Sequence, residues 1–88
     1  MTVETRDAEP GAEAPEQRSF EAARSAMYNS QRRLAEARAL ITRPGLSWEQ
    51  RQQAMSVARV QAAATRLAVK AFCYAADQRN QAEARRRG

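Results

Sequence analysis

From Trp48 onward, apolar residues recur on two opposite sides of one helical period. Set at about 100° per residue, Trp48, Met55, Ala62, Val69, Phe72 and Ala76 fall along one stripe, and Val57, Val60, Ala64, Leu67, Ala71 and Tyr74 along another. A narrow polar seam of Gln52, Arg59, Arg66 and Lys70 separates them, with Gln61 on the far flank. Most of the circumference is therefore apolar, and one neighbouring helix cannot cover it all.

The chain supplies one such neighbour. A helix is predicted from about residue 16, where Pro15 is preorganised for a first turn and Glu16 suits the positive end of the dipole, to about residue 42. Its large apolar residues Phe20, Met27, Leu34 and Ile41 repeat every seven positions, with Ala23, Ser30 and Ala37 between them, as in a coiled-coil seam. Arg43-Pro44-Gly45 breaks the helix. Ser47 followed by Gln50 forms a capping-box pattern, so the second helix starts at Trp48 and runs to about residue 85. Folding the helices back antiparallel pairs Ile41 with Trp48, Leu34 with Met55, Met27 with Ala62 and Phe20 with Val69, each pair summing to 89.

The fold class expected is therefore all-α: an antiparallel two-helix hairpin over residues 16–88 with its turn at 43–47, preceded by a disordered acidic tail over residues 1–15. In this register Trp48 caps the core beside Ile41, and the stretch from Tyr74 to Arg87 overhangs the first helix. The stripe from Val57 to Tyr74 stays uncovered, and a hairpin of this size has little core of its own, so it is expected to form part of a larger helical bundle with a partner. Alanine abundance alone, 20 of 88 residues, explains scattered small apolar positions but not Val60, Leu67 and Tyr74 on one line.

Composition removes most chemistry. Histidine is absent, the carboxylates do not cluster on either helix, and glycine occurs only at 11, 45 and 88, which removes most ways of building an acid–base pair or a metal site and leaves no phosphate loop. Neither an enzyme nor a cofactor is expected. Cys73, the lone cysteine, shares a side of the second helix with Met55 and is read as a small packing group. The acidic N-terminus does not resemble a secretory signal, which makes the cytoplasm the expected location. Arg59, Arg66 and Lys70 each cost about 2.5 to 3.5 kcal/mol at a bilayer centre, so residues 54–76 are not expected to span a membrane.

Charge is uneven, with a net of −4 over residues 1–16 and +9 over the rest. Arg18, Arg24, Arg32, Arg33, Arg38, Arg43 and the Arg85-Arg86-Arg87 run invite a nucleic-acid reading. The arginines spread around the first helix instead of forming one stripe, and no groove-reading motif is present. A dimer of such hairpins would be a four-helix bundle resembling the plasmid copy-control proteins that clamp paired RNA loops. RNA or DNA binding by a dimer is the alternative function.

The layout carries a further resemblance. A modest helix, a Pro-containing break, the run Ser47-Trp48-Glu49-Gln50-Arg51-Gln52-Gln53, Gln61-Ala62 midway along a long helix, and Phe72 and Tyr74 near its end resemble the helical-hairpin chaperones of bacterial type III secretion needle subunits, over about residues 24–80. The resemblance implies a cytosolic chaperone that joins a co-chaperone in holding a needle subunit. Val69-Lys70-Ala71-Phe72 is also similar to a stretch of the needle subunits themselves, although their chain ends are apolar and this one is charged. The expected function is a protein-interaction module, a chaperone or adaptor that captures an amphipathic helix on the open face. Val57, Val60, Ala64, Leu67, Ala71 and Tyr74 are its anchors, and Arg59, Arg66 and Lys70 orient the partner. Self-association as a homodimer, an assembly subunit and a phage-encoded inhibitor would present the same surface.

Overall fold

The structure is a computed structural model that describes residues 14–88; the acidic segment read as a disordered tail lies almost wholly outside them. Two helices, α1 (Pro15–Ile41) and α2 (Trp48–Arg87), form an antiparallel hairpin, and no strand occurs among the described residues. Local chemistry sets the ends. Pro15 opens α1 with Glu16 in its first turn. The helix closes at Thr42, whose hydroxyl donates to the Ala39 carbonyl, while the Arg43 amide turns back to Leu40 O. Gly45 takes φ +84°, a conformation that side chains with a Cβ disfavour, and so turns the chain. Ser47 Oγ accepts from the Gln50 amide at 3.1 Å, and the Gln50 side chain accepts from the Ser47 amide at 2.9 Å, completing the capping box.

On α1 the buried face follows the seven-residue spacing: Phe20, Met27, Ser30 and Ala37 are buried, and Ala23, Leu34 and Ile41 half-buried. On α2 the buried line is Ala58, Thr65, Ala75 and Ala82. Met55, Ala62, Val69, Phe72 and Ala76 flank it half-buried, so the interface sits three residues, about 60°, round from the line through Met55, Ala62 and Val69. The register differs as well. Ser30 meets Thr65, a pair summing to 95 rather than 89, which slides the helices by six residues or about 9 Å.

A buried polar layer accounts for both differences. The Gln61 amide donates to Ser30 Oγ at 2.9 Å, Ser30 Oγ lies 2.9 Å from Thr65 Oγ1, and Thr65 donates to the Gln61 carbonyl at 2.8 Å. In the register summing to 89 Ser30 would not meet Thr65, and a buried hydroxyl left without its cross-helix partner costs about 1–3 kcal/mol. Gln61 is thus an interface residue, not a flank.

Three further expectations change with the slide. Trp48 is 74% exposed and does not cap the core, because α2 begins beyond the end of α1; instead Arg51 donates to the Ile41 carbonyl. The overhang expected from Tyr74 shortens to the last turns of α2: Ala75 is buried, Ala82 is the most buried of the described residues at 4%, and Arg86 reaches Glu16 at 3.2 Å. Cys73 is exposed, since it stands about 80° round from Thr65.

At the far end, Phe20 packs on Phe72 with centroids 5.3 Å apart, and the Arg79 guanidinium lies 3.8 Å from the Phe20 ring centre. Stacking leaves Arg79 Nε buried without a hydrogen-bond partner among the described residues. No described side chain is completely buried, so the core is a single thin seam.

Candidate interaction surfaces

The hairpin presents two distinct surfaces along α2. The first is the apolar stripe. Val60, Leu67 and Tyr74 are 72%, 67% and 68% exposed, Val57 stands beside them, and Ala64 and Ala71 fill the gaps, all exposed. Their spacing of three and four residues on one uninterrupted helix holds them in line over about 25 Å. Val57 and Val60 form a shallow dent with Ser56 and Gln61, and Tyr74 lies over another with Pro15, Ser19 and Gln78.

The second surface is a groove along one side of the α1–α2 seam, about 380 Å³ in volume. Leu34, Ala62, Thr65 and Val69 form its floor, and Arg38, Arg66 and Lys70 its rim. It continues into a smaller depression that shares Arg38 and Ala62 and adds Met55 and Arg59. No carboxylate lines either part. Arg38, Arg66 and Lys70 form no ion pair with another described residue, and Arg59 reaches only the Ser56 hydroxyl, at 3.5 Å.

The nine residues expected to meet a partner are therefore divided. The six anchors share the open stripe, whereas Arg59, Arg66 and Lys70 line the groove. Leu34 and Arg38 were not legible as members of this surface, because they belong to α1 and come beside Ala62, Arg66 and Val69 only in the shifted register. The one signal that could have found them was the pairing of Ser30 with Thr65.

Among the described residues, no group of three or more His, Cys, Asp or Glu could hold a metal ion. No described helix is long and apolar enough to cross a membrane. Cys73 is exposed and stands alone. Comparison with protein-family models, curated proteins and solved structures finds no significant match to this chain.

Proposed function

We propose that the protein is an interaction module, a chaperone or adaptor, whose open stripe on α2 receives an amphipathic helix of another protein. One observation carries the reading: four large apolar side chains, Val57, Val60, Leu67 and Tyr74, stand more than half exposed on one rigid helix. Isolated surface apolar residues need no explanation, but a continuous line of them marks a contact surface. The spacing fits helix-in-groove capture, in which anchors at i, i+3 and i+7 supply affinity. The order of helix, Pro-Gly turn and long capped helix supports a needle-chaperone-like role at the level of layout. Nucleic-acid binding by a dimer is the second reading, favoured by the unpaired cations of the groove; its apolar floor and lack of lining aromatics count against it.

Site-specific photocrosslinking in the native cell tests the proposal. A photoreactive phenylalanine analogue at Leu67 should give one defined protein adduct, and the same analogue at Arg32, on the outer side of α1, should give none. Equal yields at both positions, or no adduct at Leu67, would overturn it.

A further inference from the structure

We infer that the groove between α1 and α2 is a second docking site, separate from the open stripe, whose occupant is an acidic amphipathic segment of a partner protein. The inference does not depend on what covers the stripe. Its basis is a largely apolar floor, Leu34, Ala62 and Val69 with Thr65, under a rim of Arg38, Arg66 and Lys70 that meets no carboxylate among the described residues. Nearby cations without counter-charges repel one another and gain from any anion that seats among them. Two of the rim groups are guanidiniums, whose planar forks match carboxylates in paired hydrogen bonds.

The occupant follows from the shape and the charge together. The groove runs open along the seam, which suits a chain segment lying in it more than an enclosed small molecule. An apolar floor offers nothing to a sugar-phosphate backbone, and no aromatic side chain is present to stack a base. Arg59 and Arg66 are seven residues apart, about 10 Å along α2, with Arg38 facing them from α1. Carboxylates spaced one to two turns apart on a helix, with Leu or Val between them, meet this arrangement.

The chain's own acidic residues fit it poorly. Leu34 lies about 28 Å along α1 from Pro15, and the ten steps from Glu4 to Ala14 span at most about 34 Å, so the chain's own acidic segment reaches Leu34 only when nearly fully extended. Residues 2–13 contain one large apolar side chain, Val3, too few to fill the floor. The occupant is therefore assigned to another protein.

Fluorescence anisotropy on the full chain tests the assignment with two labelled peptides of equal length. One carries Glu and Leu at helical spacing, and the other replaces each Glu with Gln. The Glu peptide should bind, more weakly as salt rises, and the R38Q/R66Q double variant should bind it roughly ten-fold less tightly, about 1.4 kcal/mol. Both arginines are exposed, so that variant should keep the helicity of the parent by circular dichroism. Leu67→Asp, on the other surface, should leave peptide binding unchanged while abolishing the Leu67-face contact, so failures of the two proposals are distinguishable. Equal binding of the Gln peptide, or unchanged binding by the double variant, would overturn the inference. Displacement of the probe by a short oligouridylate would reassign the groove to nucleic acid, and displacement by a peptide of residues 2–13 would reassign it to this chain.

Discussion

Three side chains decide how the two helices align. Ser30, Gln61 and Thr65 each use a donor and an acceptor within one small ring of hydrogen bonds, in a seam otherwise made largely of alanine and a few larger apolar groups. Thr65→Val keeps the shape but leaves the buried Ser30 hydroxyl without its partner across the seam, and should cost about 1–3 kcal/mol in urea unfolding. Adding Ser30→Ala removes the stranded hydroxyl, and because Gln61 is only half-buried its amide can turn to water. The double variant should therefore recover much of the loss, and additive losses would refute the reading of this layer as a coupled unit. None of this was legible beforehand. Ser30 reads as a gap-filler in a heptad, and Thr65 carries no apolar signal at all, so a reading that follows large apolar residues passes over both.

At the scale of elements, the sequence was informative wherever the structure is local. Pro15, the Pro44-Gly45 step and the Ser47–Gln50 box act through nearby backbone groups, and the helix ends fall where those residues place them. Ser47→Ala removes the acceptor for the Gln50 amide and should cost about 0.5–2 kcal/mol, read as a lower urea midpoint with an unchanged slope. Gly45→Ala should cost about 1 kcal/mol for a different reason: nothing lies within 4 Å of the added methyl, so the penalty is that of a positive φ alone. Equal stability of parent and Gly45→Ala chains would show that the turn relaxes. The face of α2 was harder to read than its ends. With Ala54, Ala58, Ala62, Ala68, Ala75 and Ala76 distributed round the helix, several lines are about equally apolar, and a rotation of 60° changes little in the pattern. The α1 face was legible because Phe20, Met27, Leu34 and Ile41 are large and their spacing is strict.

For the whole molecule, the thin seam bears on how the chain exists in solution. A two-layer hairpin with no completely buried side chain among its described residues has little apolar burial to set against the entropy of ordering them. An occupant of the stripe would add stability by mass action, because it binds the folded hairpin and not the unfolded chain. If the occupant is a second copy, the melting temperature of the purified chain should rise with protein concentration, and Leu67→Asp should remove that dependence. Salt separates this case from docking in the groove. Residues 17–88 carry a net +9, so bringing two copies together opposes like charges, and added salt should strengthen their association. An acidic segment in the groove is held by opposite charges, and the same salt should weaken it. Light scattering coupled to size exclusion, run at low and high salt, reads both signs. A dimer favoured by salt would place a second copy on the stripe, whereas a broad, concentration-independent transition would leave the stripe to a different protein. A compact monomer that unfolds cooperatively at every concentration would mean that the seam suffices alone and the stripe needs no cover.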